Sequence, residues 1–267
     1  MKLPPDLHVL VTRPESFGTL LCDKIRALGA VATLFPTLEI HPFPDKAQIQ
    51  YKEALETARY CLVVSPNAVF CLAPSLMECL ASRQHNDLNS FHLISMGEST
   101  TRALEKRGLR VTHTPPLGTV SESLLDSPLF DKKRIENTKV VIITGKGGRT
   151  LIPETLEARG AKVILCVIYD RQCPRVEGQE ALDAWKKAKV NVVLATSQNS
   201  LDNLLQLIGS DGKSWLYNQS LLVVSSRLAE YAKALGFSNI VIAKSASDGS
   251  IIEALAMFQG VLQTQAE

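Results

Sequence analysis

Seven short polar turns, each following an apolar run, are where this sequence of 267 residues could do chemistry. They are Thr12-Arg13, Ser65-Pro66-Asn67, Gly97-Glu98-Ser99-Thr100, Gly145–Arg149, Thr196-Ser197, Ser225-Ser226 and Ser247-Asp248-Gly249-Ser250. Each can set hydroxyls and free backbone N–H groups at the start of a helix, where the helix dipole favours negative charge. As a set they point to an anionic ligand held mainly by neutral donors. Any one of them alone is equally ordinary helix capping, because Ser, Thr and Asp are favoured at that position anyway. Arg13 and Arg149 could each meet a carboxylate through two parallel hydrogen bonds, or simply be solvated. Tyr169 is either core filler with a satisfied hydroxyl or a donor facing a cleft.

Other chemistries lack their residues. The sequence has no GxSxG, HExxH or GxxxxGK[ST], and His8, His41, His85, His92 and His113 show no ligand spacing, so neither a metal centre nor a Ser-His-Asp site is expected. Within Gly145-Lys146-Gly147-Gly148 the glycines stand at the first, third and fourth positions, unlike a dinucleotide fingerprint, which leaves nucleotide-dependent chemistry a weakly supported possibility. A net charge of +2, from 29 basic and 27 acidic residues, gives no case for nucleic acid or a charged membrane surface as partner. No run reaches the roughly 20 apolar residues of a spanning helix. The start, Met1-Lys2-Leu3-Pro4-Pro5-Asp6, does not read as a signal peptide, and six cysteines without a CxxC pair read as reduced, mostly buried thiols, so a cytoplasmic protein is expected.

The elements that must position these turns alternate between strand and helix. Apolar, β-branched runs at His8–Val11, Tyr60–Val64, His92–Met96, Leu109–His113, Val140–Ile143, Val163–Tyr169, Val190–Leu194, Leu221–Val224 and Ile240–Ala243 predict strands. Helical spacing predicts helices from about Ser16 to Leu28, Ala47 to Ala58, Pro66 to Leu72, Thr101 to Arg107, Ser121 to Leu125, Glu177 to Ala188, Gln198 to Ile208, Arg227 to Leu235 and Ser250 to Gln259. Val31–Ile40 is extended, with Pro36 arguing for an edge or a connecting ribbon; His41-Pro42-Phe43-Pro44 reads as a break, and Ser82–Ser90 as a surface loop. The stretch Val140–Arg171 reads as strand, glycine turn, helix and strand, and the whole as α/β with parallel sheets.

The two parts of the chain also repeat. Ser65 and Ser197 are 132 positions apart (197 − 65), as are Asn67 and Asn199 (199 − 67), and Leu28-Gly29-Ala30 falls on Arg159-Gly160-Ala161 at a spacing of 131 (160 − 29). Gly97 falls on Ser225 and Gly108 on Gly236, both at 128 (225 − 97 and 236 − 108). Two copies of one α/β module are therefore expected, with ligand at the carboxyl ends of the strands.

In order and spacing, Val11-Thr12-Arg13-Pro14, Ser65-Pro66-Asn67-Ala68-Val69, Gly97-Glu98-Ser99-Thr100, Thr144–Arg149 with Leu156–Ala161, Val167–Arg171, Thr196-Ser197 and Ala246-Ser247-Asp248 resemble the uroporphyrinogen-III synthase family over essentially the full length. The resemblance implies two similar parallel-sheet, flavodoxin-like domains joined by a two-stranded β ribbon. Domain one would be residues 1–36 with 173–267, domain two 41–165, and the ribbon 37–40 and 166–172. It implies a cofactor-independent, monomeric lyase that closes the linear tetrapyrrole hydroxymethylbilane with loss of water and inversion of the last ring, as against a non-catalytic two-domain binding protein for an anionic small molecule. Tyr169 matches the family's tyrosine proposed to assist departure of the hydroxyl. Thr12, Ser65, Thr100, Thr196, Ser197, Ser225 and Ser226 match its substrate contacts, and Arg13, Gly97, Ser99, Gly147 and Arg149 join them from the turns described above.

Overall fold

The computed structural model describes residues 2–86, 90–115, 124–148 and 150–260. The chain divides into two compact units, Met1–Glu39 with Gln172–Glu267, and Ile40–Arg171. The first unit holds β1 (His8–Val11), β2 (Val31–Leu34), β8 (Val192–Ala195), β9 (Ser220–Val223) and β10 (Ile240–Ile242), in the order β10-β9-β8-β1-β2, every pair parallel. Numbered by their appearance within the unit, these strands follow the 2-1-3-4-5 order of a flavodoxin-like sheet.

The second unit orders β3 (Glu39–Pro42), β7 (Lys162–Gln172), β6 (Lys139–Gly145), β4 (Tyr60–Val63) and β5 (His92–Ser95) as β3-β7-β6-β4-β5. With β3 set aside, numbering from β6 instead of from the first strand gives 2-1-3-4, the order of four of the five strands of the other sheet. Thus β6 and β7 correspond to β1 and β2, β4 to β8, and β5 to β9, which is the correspondence that the 131, 132 and 128 spacings imply. The duplicated module is circularly permuted between the units, with β3 as an extra edge strand.

Strand periodicity explains the layers. In the first unit Val9, Val11, Val192 and Leu194 face one apolar cluster, with Leu21, Ile25, Ile251 and Leu255 from the helices Glu15–Ala27 and Asp248–Ala256. The alternate residues Leu10, Val193 and Ala195 face the other, with Leu182, Trp185, Leu204 and Leu228. The second unit splits the same way: Cys61, Val63, Val141 and Ile143 on one face, Tyr60, Leu62, Val140 and Ile142 on the other. Buried on both faces, such strands are continuous apolar runs, which made them readable.

Several expectations are corrected. Leu109–His113 is not a strand; it makes one bridge, His113 to Ile94, beside β5. His41 and Pro42 belong to β3, where an edge position tolerates a proline that a central strand would not. The single helix expected over Ala47–Ala58 is three short turns, Asp45–Gln48, Ile49–Tyr51 and Lys52–Thr57. A helix at Pro74–Asn86 takes in Ser82–Asn86, read as loop, and the helix from Gln198 continues to Tyr217 across a break at Gly209 (φ 64°, ψ −168°). The ladder between β6 and β7 runs to Tyr169, so residues 166–169 lie in the second unit's sheet, where a connecting ribbon was expected. The helix expected at Ser121–Leu125 falls largely outside the described residues.

Candidate active site

In the second unit two of the singled-out side chains meet just past the end of β4, beside the last residue of β6 and its partner in β7. Ser65 follows β4; its Oγ accepts the Ala68 N–H at 3.2 Å, capping the helix Pro66–Phe70, and lies 3.3 Å from the Tyr169 hydroxyl. Tyr169 reaches that position through an irregular register. Thr144 is paired with Val167, but the next residue, Gly145, is paired with Tyr169, so Ile168 is an extra residue in β7. Such a bulge changes which face the following side chains point to. Ile168 and Tyr169, neighbours in sequence, consequently pack into the same apolar cluster as Cys166. Without the bulge, alternation would send Tyr169 to the opposite face.

The other turns of this unit take varied roles. Gly97 precedes the helix Glu98–Lys106 and its carbonyl accepts the N–H groups of Thr100 and Thr101, both at 3.0 Å. Ser99 is exposed in the first turn, whereas Thr100 is buried. A hydroxyl cluster that sequence reasoning missed ties this turn together: Ser95 to Thr101 at 2.5 Å, Thr101 to Thr114 at 2.7 Å and Ser95 to Thr114 at 3.1 Å. Gly147 has φ +68° and is exposed; the turn's carbonyls at Lys146 and Gly147 accept from Arg171 Nη2 at 3.1 and 3.2 Å. Arg149 lies outside the described residues.

In the first unit Ser197 and Ser225 cap their helices, accepting the N–H groups of Ser200 at 3.1 Å and Leu228 at 3.3 Å. Both serines and Ser226 are exposed or half-buried, as is Thr196. A capping hydroxyl accepts through a lone pair and keeps its own O–H as a donor, so capping and ligand binding are compatible at these serines.

Thr12 and Arg13 are used internally. The Thr12 hydroxyl donates to the Leu194 carbonyl at 2.7 Å and lies 2.7 Å from Ser200 Oγ, which is 2.9 Å from Thr37 Oγ1, and all three residues are buried. Ser200 escaped notice in the sequence, although a legible signal existed: it occupies the buried stripe that continues to Leu204 and Ile208 four and eight residues on. Arg13, expected to meet a ligand carboxylate, instead donates from Nη1 to Asp248 Oδ1 at 2.7 Å and from Nη2 to the Ala246 carbonyl, while Lys24 Nζ reaches Asp248 Oδ2 at 2.7 Å. Burial of Asp248 works to raise its pKa, but the hydrogen bonds and charges of Lys24 and Arg13 outweigh it and hold the carboxyl below its ordinary value.

A folded-state pKa below the unfolded one stabilises above the unfolded value, about 3.9, and that stabilisation is lost as the pH falls through the folded value. Asp248→Asn is therefore expected to cost about 2 kcal/mol at pH 7, less than for a fully enclosed pair because Asp248 keeps 26% of its side chain exposed, and the deficit should close at strongly acid pH. Thermal unfolding of both proteins from pH 7 down to about pH 1, below both values, checks this. A constant gap would show that the carboxylate's charge contributes nothing.

Two units that share most of one strand order, one permuted, with hydroxyl and amide donors in the turns that follow their strands, define a duplicated α/β protein. The family profile described as "Uroporphyrinogen-III synthase HemD" matches residues 21–253. The chain is 33% identical over 251 residues to the uroporphyrinogen-III synthase of Escherichia coli, covering 93% of this chain and all of that protein. It is 30% identical over 257 residues to that of Salmonella typhimurium, with 93% and 100% covered. A crystal structure of a mutant uroporphyrinogen III synthase from Thermus thermophilus superposes with a TM-score of 0.61 at 18% identity, over 97% of this chain and 99% of that one, and shares the fold. The chain belongs to the uroporphyrinogen-III synthase family, lyases that cyclise hydroxymethylbilane.

Proposed function

We propose that this chain converts hydroxymethylbilane to uroporphyrinogen III with Tyr169 as the proton donor to the departing hydroxyl. The observation that carries this is the Tyr169 hydroxyl held 3.3 Å from Ser65 Oγ, past the end of β4 and beside the end of β6. Loss of water from the terminal hydroxymethyl group needs a proton on the leaving oxygen. The Oη–H bond supplies it, the C–O bond breaks, and the adjacent pyrrole nitrogen provides the electron pair that makes the azafulvene cation. Attack on that cation by a substituted ring carbon forms a spiro intermediate, whose opening and reclosure invert the last ring. A ring proton lost on rearomatisation balances the one spent.

Simple closure without inversion needs no catalyst of rearrangement, so holding the chain of rings in the inverting geometry is the larger task. The reading assigns it to outward hydroxyls of Ser197, Ser225 and Ser226, to Thr196, Ser99, Gly97 and Gly147 at the other turns, and to Arg149. Helix-start N–H groups and O–H donors suit carboxylates of such a substrate. Thr12, Arg13 and Thr100 serve as framework behind these contacts, as their burial supports. We further propose that the chain works as a cytoplasmic monomer. Six free thiols, five of them buried, suit a reducing compartment, and no described helix is long and apolar enough to cross a membrane.

The test is to add purified protein to hydroxymethylbilane, oxidise the products and separate the isomers. Type III product should form faster than type I forms spontaneously. The same isomer ratio with and without protein would reduce the chain to a binding protein.

A further inference from the structure

Gly145 ends β6 with no side chain, and the ring of Tyr169 occupies the space a side chain would need. A Cβ built on Gly145 would stand 2.4 Å from both Cε2 and Cζ of Tyr169 and 2.9 Å from Cε1. These are the ring atoms that carry and flank the hydroxyl, so the backbone of Gly145 is the floor on which the reacting end of the phenol rests. The backbone on either side is pinned. Lys146 N–H donates to the Tyr169 carbonyl at 2.9 Å, and the extra residue Ile168 gives its carbonyl to Phe43 N–H at 2.8 Å. Neither strand can slide away to relieve a clash without losing one of these bonds.

From this we infer that Gly145 is a positioning residue for the reaction, setting the height of the Tyr169 hydroxyl relative to Ser65. The inference rests on the reading of Tyr169 as proton donor. Carbon atoms in contact sit about 3.5–4.0 Å apart, so a methyl group at position 145 displaces the ring by about 1 Å. The Ser65–Tyr169 distance is already 3.3 Å, at the outer limit of a hydrogen bond, and a shift of that size breaks it or reorients the O–H. Glycine here follows from close approach, not from backbone conformation. The sequence displays Gly145 only as the first residue of a glycine-rich polar turn.

The experiment is a double-mutant cycle on the full chain with Gly145→Ala, Tyr169→Phe and the pair, reading kcat and KM separately. Gly145→Ala should lower kcat about 10- to 100-fold with KM changed much less, as expected for misplacement of a group by about 1 Å. In the Tyr169→Phe background the same substitution should cost less than about threefold, because the hydroxyl it misplaces is gone. Losses that multiply, or a Gly145→Ala protein that turns over like the parent, would overturn the inference. Full turnover by Tyr169→Phe alone would instead remove the tyrosine reading on which it rests. Should Gly145→Ala fail to fold, thermal unfolding in a Tyr169→Ala background decides: recovered folding assigns the failure to the ring, and continued failure overturns the inference.

Discussion

Tyr169→Phe is expected to lower kcat about 100-fold, the low end of what a positioned general acid supplies, while the protein unfolds within about 1 kcal/mol of the parent. The two halves of this expectation have separate causes. Removing one oxygen leaves the ring buried in its apolar cluster above Gly145, so packing is unchanged. Ser65 Oγ loses a neighbour at 3.3 Å but still caps the Ala68 N–H, so no helix start is left open. The chemical step, in contrast, loses the proton that turns a poor leaving hydroxide into water. Steady-state kinetics beside a thermal melt provide the check; turnover within about twofold of the parent would assign Tyr169 to packing.

Gly178→Ala is expected to destabilise the first unit by about 3 kcal/mol or more, the upper range for forced overpacking, a fall of about 6–12 °C in Tm. Gly178 opens the helix Gly178–Lys187 and is buried. A Cβ there would lie 1.8 Å from the carbonyl oxygen of Leu207 and 2.5 Å from its carbonyl carbon. Those are backbone atoms of the facing helix, just before the break at Gly209, and unlike a side chain they cannot swing aside. Separating the helices would open the packing of Leu182 and Trp185 against Leu204 and Ile208. Gly249→Ala is the matched control, since a Cβ at Gly249 meets nothing within 4 Å. Equal melting temperatures for the two variants would show that the helices tolerate the added methyl.

What could be read from the sequence was whatever depends on near neighbours in the chain. Runs such as Tyr60–Val63 and Val192–Ala195 are apolar throughout because both faces of each strand are covered. Ser65, Ser197 and Ser225 announce helix starts because a capping hydroxyl serves an N–H three residues on. The repeat survived permutation because its spacing within each βαβ piece did. Hidden features depend on distant partners. Nothing near Arg13 reveals that Asp248, 235 residues away, takes its charge, and nothing near Thr12 reveals Ser200. The bulge at Ile168 is a property of the β6–β7 pairing, invisible in β7 alone, and it decides whether Tyr169 faces the strand-end site at all. Leu109–His113 shows the opposite error, with strand composition but only one bridge to a neighbour.

The permutation also has a consequence for synthesis on the ribosome. Ile40–Arg171 is continuous, so all of its strands have been delivered once residue 171 has left the exit tunnel. The first unit is different: β1 is central in its sheet, between β2 and β8, and β8 begins only at Val192. At about 5–20 residues per second, the N-terminal βαβ piece waits roughly 10–30 s for the strand that covers its open edge. During that interval Val9, Leu10 and Val11, paired with β2 on one side, present an open apolar edge on the other while the second unit is free to fold. The later unit to assemble is thus the one that was started first, and it is there that a nascent chain would need protection.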